Sequence, residues 1–227
     1  MTFDRWRADR GQPTSKGVRL ATGTLVAGLV GLVASLLVLG FIADEIHEQE
    51  ALALDAWATP FLHSIASPGL DAVMNTLTTL GSALVVVPLL LVAAALLLVN
   101  RRPGAALFLV VLVAGARIVD ATMKVLFERP RPKLDYATVL PDYSFPSGHS
   151  MTGVVFYVGL ALVLWSIFGR RIGLPATVLA AVLALGIGIS RIYLGYHYLS
   201  DVGGGLLAGI AWLLVVAYAF RASLVEA

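Results

Sequence analysis

Three short stretches of this chain carry residue types that together can handle a phosphoryl group. The first runs Lys124-Val-Leu-Phe-Glu-Arg-Pro-Arg131-Pro132, and the second is Pro146-Ser147-Gly148-His149. The third is Ser190-Arg191, then five residues, His197, three residues, and Asp201. Lys124, Arg131 and Arg191 offer charge and directional donors for phosphoryl oxygens. Ser147 and Gly148 stand where a helix should begin, so free backbone N–H groups and the positive end of the helix dipole favour an anion there. Glycine also lets the backbone approach that anion closely. His197 and Asp201 share one face if their stretch is helical. A carboxylate on one imidazole nitrogen fixes the tautomer and leaves the other nitrogen free to attack. His149 lies on a different segment and is placed to reach a leaving group as general acid. The chemistry expected is in-line attack of His197 on phosphorus, a phosphohistidine, and its hydrolysis by a water that His149 activates.

Something must bring these stretches together, and composition says what. Of 227 residues 59% are hydrophobic and 13% charged, against about 45–50% and about 25% in an ordinary soluble domain. A net charge of +2 argues against a nucleic-acid partner, and the absence of cysteine removes disulfides, thiolate metal sites and cysteine nucleophiles. Residues 20–43, 72–100, 150–169, 172–190 and 202–220 carry no Asp, Glu, Lys or Arg, and a sixth apolar run, 103–126, is interrupted by Arg117, Asp120 and Lys124. A bilayer core needs about 20 apolar residues of helix. The expectation is therefore an all-α, six-transmembrane-helix bundle forming one domain over 1–227, with a tail at 1–19, a loop or interfacial helix at 44–70, and the chemistry within 124–201. Ten of the sixteen basic residues fall before the first helix, in the 101–102 and 170–171 turns, or after the last helix. Lys and Arg concentrate in cytoplasmic loops, so both termini are expected in the cytoplasm. The other six, Arg117, Lys124, Arg129, Arg131, Lys133 and Arg191, then lie toward the extracytoplasmic face beside an acidic loop at 44–55. Anion binding there explains their departure from the rule.

The three stretches, unsubstituted and in order, resemble the signature of the type 2 phosphatidic acid phosphatase superfamily, to which glucose-6-phosphatase and the vanadium-dependent haloperoxidases also belong. The resemblance implies that Lys124, Arg131 and Arg191 bind phosphate with Ser147 and Gly148. It implies that His149 is the acid, His197 the nucleophile and Asp201 its partner. It further implies a multi-pass enzyme of the plasma (inner) membrane acting in the outer leaflet on a lipid phosphate or pyrophosphate such as phosphatidate, phosphatidylglycerophosphate or undecaprenyl pyrophosphate.

His197 and Asp201 with His149 make an incomplete catalytic zinc set, and no carboxylate cluster suits magnesium, so neither metal nor cofactor is expected. A haloperoxidase-like oxidase would hold vanadate in the same pocket, but six spans favour a lipid substrate. A non-catalytic lipid-phosphate binder or transporter is disfavoured because His197 and Asp201 are both present. Arg117, Asp120 and Lys124 share a face of one helix and read as an ion pair or as the wet floor of the phosphate site. Gly205 and Gly209 suggest close helix packing, and Trp57, Tyr193, Tyr196 and Tyr198 suggest an outer aromatic belt. His47 and His63 are read as surface residues.

Overall fold

The structure, a computed structural model, describes residues 15–47, 53–138 and 140–221. The expected tail up to residue 14, part of the 44–70 loop and the C-terminal end after Arg221 lie outside these. The described residues are all-helical: α1 (Ser15–His47), α2 (Ala53–Ser64), α3 (Pro68–Leu80), α4 (Ala83–Val99), α5 (Pro103–Phe127), α6 (Gly148–Gly153), a π-helical turn (Val154–Val158), α7 (Gly159–Phe168), α8 (Arg170–Tyr193) and α9 (Leu199–Ala219). α6, the π turn and α7 form one continuous span. With α5, α8 and α9 that makes four helices long and apolar enough to cross a membrane. Bent α3 and α4 together make a fifth, and α1 contributes the apolar stretch Gly28–Ile42. The molecule is a multi-pass membrane protein, and Leu84, Leu91, Ile118, Leu126, Val178 and Val182 on its outside are largely exposed, as lipid-facing side chains are.

The uncharged run 72–100 is not one straight helix. It breaks at Gly81 and Ser82, and its halves meet at 49°. The carbonyl of Leu80, left without a helical partner by the break, accepts the Tyr157 hydroxyl at 2.8 Å. α3 packs on α8 while α4 packs on α5. The core lies between α4, α5, the π turn, α7 and α9, around Val86, Phe108, Leu109, Leu112, Met151, Val155, Phe156 and Val163. α6 reaches α9 where glycine allows it: a methyl group at Gly205 would collide with the backbone of Ser147. That close approach brings the start of α6 beside the start of α9, and so draws the second motif toward the third.

Candidate active site

α5 stops because Glu128 adopts a left-handed φ of 44° and Pro130 and Pro132 cannot continue a helix. Lys124 in its last turn and Arg131 just beyond it converge on one carboxylate, Asp142. Lys124 Nζ donates to Asp142 Oδ2 at 2.5 Å and Arg131 Nη2 to Oδ1 at 2.7 Å. Arg131 Nε adds a bond to the Asp142 carbonyl at 2.9 Å. Burial alone would raise the Asp142 carboxyl, but the hydrogen bond and charge of Lys124, then those of Arg131, outweigh it and hold it at about 2.

His197 sits in the turn between α8 and α9, 1% exposed. Its Nδ1 lies 3.4 Å from Asp201 Oδ2, and its Nε2 lies 3.1 Å from Arg131 Nη1. A guanidinium can only donate, so Nε2 must accept and the ring proton must rest on Nδ1, facing Asp201. The pair is reached across a helix start rather than along one helical face. Asp201 is in the first turn of α9 and His197 precedes the cap residue Tyr198, whose N–H donates back to Asp201 Oδ2 at 2.9 Å. Burial pushes His197 down to about 4; Asp201 opposes this and the charges of Arg131 and Arg191 reinforce it. The ring is neutral at pH 7.

Asp201 is fully buried and fully engaged. Arg129 Nη1 donates to Oδ1 at 2.5 Å, and Oδ2 accepts the Ser144 hydroxyl as well as Tyr198. Its backbone carbonyl accepts the N–H of Ser147 at 2.9 Å, which joins the second and third motifs. Ser147 caps α6, and its Oγ accepts from Ser150 Oγ at 2.9 Å. A side chain at Gly148 would come within 2.8 Å of Asp120 Oδ2, so this helix start rests directly on the α5 stripe. In that stripe Asp120 lies 3.6 Å from Arg117 and 4.0 Å from Lys124, and its Oδ1 is buried without a partner.

Arg191, in the last turn of α8, donates to Thr78 Oγ1 of α3 at 2.7 Å and stacks over the Tyr196 ring at 4.2 Å. His149 lies against the α3–α4 break, where a side chain at Gly81 would meet its Cβ and Cδ2 at 3.4 Å. Among the described residues its ring forms no hydrogen bond with the other motif side chains.

The structure therefore links Lys124, Arg131, His197, Asp201, Ser147 and Gly148 by direct or one-step contacts, with Arg191 reaching them through Tyr196 and His149 at the edge. Residues outside the expected set are just as closely involved: Arg129, Asp142, Ser144, Asp55 and Thr78. Arg129 lies inside the first motif and Asp142 four residues before the second, which is the one signal that pointed at them. Three tyrosines read as an aromatic belt are not one. Tyr193 is buried with its hydroxyl on Asp71 at 2.5 Å, and Tyr196 and Tyr198 lie under Arg191 and Arg129. Trp57 is 57% exposed and stacks on Phe61, as an interfacial residue would. His63 stacks on Tyr136, and the side chain of His47 is outside the described residues.

The chain is thus a membrane-spanning helical bundle with cations and two histidines gathered toward one end. The PAP2 superfamily pattern matches residues 104–224. The chain is 30% identical over 179 residues to phosphatidylglycerophosphatase B of Bacillus subtilis (strain 168), covering 77% of this chain and 87% of that one. It is 36% identical over 107 residues, 45% of this chain and 50% of the other, to a putative undecaprenyl-diphosphatase, YbjG, of Escherichia coli (strain K12). The crystal structure of a transmembrane PAP2-type phosphatidylglycerolphosphate phosphatase from Bacillus subtilis superposes with a TM-score of 0.78 at 29% identity, covering 84% of this chain and 96% of that one. The chain belongs to the PAP2 superfamily and is a hydrolase of the lipid phosphatase class.

Proposed function

We propose that this enzyme removes the terminal phosphate of a lipid monophosphate or pyrophosphate through a phosphohistidine on His197, without a metal. The observation that carries the reading is the state of His197: neutral, its Nδ1–H facing Asp201 and its Nε2 lone pair facing the cation Arg131. Similarity to a phosphatidylglycerophosphatase and to a putative undecaprenyl-diphosphatase supports phosphatidylglycerophosphate and undecaprenyl pyrophosphate as substrates. The phosphoryl group sits among Lys124, Arg131, Arg191, Ser147 and the N–H of Gly148. Nε2 attacks phosphorus as the bond to the lipid oxygen breaks; that oxygen keeps the electron pair and takes a proton from His149. The phosphoimidazolium so formed is stabilised by Asp201. His149, now neutral, takes a proton from water as its oxygen bonds to phosphorus, and the P–Nε2 bond breaks to release phosphate and restore neutral His197. Positioning and charge compensation contribute most of the rate in such transfers.

The six apolar runs of the sequence support six spans over 1–227, and the basic-residue distribution supports termini in the cytoplasm and a site opening at the extracytoplasmic face of the inner membrane to substrate in the outer leaflet. The direct test is single turnover with radiolabelled lipid phosphate, quenched in alkaline detergent because a phosphohistidine hydrolyses in acid. Label should be trapped on His197 in the wild type. Label retained in His197→Ala would refute the mechanism.

A further inference from the structure

α2 contributes no motif residue, yet one of its side chains enters the site. Leu54, Trp57 and Phe61 on its outer face are exposed, whereas Asp55, Ala58 and Thr59 on the other are buried. Asp55 Oδ2 accepts from Arg129 Nη2 at 2.8 Å, and Asp55 also takes the N–H of Ser200 at 2.8 Å and its hydroxyl at 2.5 Å. The other end of the same guanidinium donates to Asp201 at 2.5 Å and to Ser200 Oγ at 2.7 Å, and its face lies 4.2 Å above the Tyr198 ring. We propose that Arg129 and Asp55 are positioning residues for the reaction, and that through them α2 holds the Asp201–His197 pair in its reactive orientation. This rests on the reading of His197 as nucleophile with Asp201 as its partner.

The geometry supports the assignment in three ways. A guanidinium is planar, so carboxylates from two different elements gripping Nη1 and Nη2 set its plane. With Oδ1 taken by Arg129 and Oδ2 by Ser144 and Tyr198, the Asp201 carboxylate cannot turn, and its remaining direction is toward His197 Nδ1. Finally, Arg129 carries one positive charge between two buried carboxylates, so Asp55 limits how far Arg129 neutralises Asp201. The charged groups facing His197 are Asp201 from α9, Arg131 from the loop after α5 and Arg191 from α8, with His149 of α6 close by. Arg129 acts on it only through Asp201. Loosening this grip misaligns the nucleophile without touching Lys124, Arg131 or Arg191.

The test compares Asp55→Asn, Asp55→Glu, Arg129→Lys and Arg129→Gln with the wild type. The readouts are kcat and KM for p-nitrophenyl phosphate, inhibition by inorganic phosphate, and the pH profile. Asp55→Asn should lower kcat on the order of 10–100-fold while KM and inhibition by inorganic phosphate stay within about twofold. Asp55→Glu should recover part of the loss. Arg129→Lys should not, because a single ammonium cannot bridge two carboxylates. In Arg129→Gln, Asp201 is relieved of its competing cation and pulls harder on the His197 proton, so the acid limb of the profile should move up by about one pH unit. Wild-type kcat in Asp55→Asn overturns the proposal. So does loss of phosphate affinity in step with kcat, or an unmoved acid limb in an active Arg129→Gln variant. If His197→Ala still forms phosphoenzyme, the underlying assignment of the nucleophile fails instead, whatever the Asp55 variants do.

Discussion

Asp142→Asn probes how firmly the proposed phosphate-binding cations are already engaged. In the wild type Asp142 holds Lys124 at 2.5 Å and Arg131 at 2.7 Å, two charge-assisted bonds to residues that a phosphoryl group also uses in the proposed mechanism. The fall of the carboxyl from 3.8 to about 2 corresponds to roughly 2.4 kcal/mol. The Asp142 side chain is 49% exposed, and solvent screening reduces that to about 1 kcal/mol. A phosphate that takes these donors must displace this contact, so removing the charge should tighten inhibition by inorganic phosphate and vanadate about fivefold. The same figure has a pH signature. A carboxylate whose folded value is depressed stabilises the fold fully above its unfolded value near 4 and loses that contribution as pH falls toward 2. Thermal unfolding of detergent-solubilised protein between pH 6 and 3 should therefore show the wild type losing its advantage over Asp142→Asn at the acid end. The assay for affinity is competitive inhibition of p-nitrophenyl phosphate hydrolysis at pH 7. Unchanged or weaker phosphate inhibition in Asp142→Asn would show that Asp142 arranges the two cations rather than contends with phosphate for them.

Further outcomes are expected for the same preparation. His149→Ala should cost about 10²–10⁴-fold on an alkyl phosphate such as phosphatidate and much less on p-nitrophenyl phosphate, whose phenolate leaves unaided; equal losses on both would remove His149 as leaving-group acid. Because the His197 ring becomes neutral above about 4, kcat/KM should rise through pH 4 and not through pH 6.5; an acid limb near 6.5 would show that the site is wetter than its burial implies. Hydrolysis should survive EDTA, since among the described residues no three His, Asp or Glu side chains are grouped so as to hold a metal ion, and restoration by Mg²⁺ after an EDTA loss would count against this. Single cysteines at Thr138 and Arg170, both exposed, should label oppositely with an impermeant reagent in intact cells, Thr138→Cys reacting and Arg170→Cys not; the reverse would invert the topology.

What could be read from residue order depended on whether the determining physics was local. The motif spacings were legible because phosphate binding and imidazole chemistry require particular side chains. Four spans and the bent fifth were legible because a charge in hydrocarbon is costly, so uncharged runs stand out. The break at Gly81–Ser82 was hidden for the same reason: it lies inside an uncharged run and depends on Tyr157, 77 positions away along the chain. Asp55 was counted with an acidic loop because nothing near it in the chain announces Arg129 or Ser200. Tyr196 and Tyr198 looked like belt residues because a tyrosine under a guanidinium and one at a lipid headgroup are the same letter. Arg129 passed as spacing between Lys124 and Arg131, although its partners place it against Asp201.

The boundary of the family pattern has a practical consequence. Residues 104–224 contain every motif residue, but Asp55, Asp71, Thr78 and Gly81 all precede that segment and all touch residues within it. The stretch recognisable by descent is thus smaller than the stretch that works as one mechanical piece. A fragment cut at residue 103 would keep the signature and lose the clasp on Arg129, the partner of Arg191, the anchor of Tyr193 and the wall beside His149. Exchanging parts between relatives to move substrate preference should accordingly carry α2, α3 and α4 along with the motif-bearing half. A chimera joined at the family boundary would pair one enzyme's reactive groups with another's scaffolding.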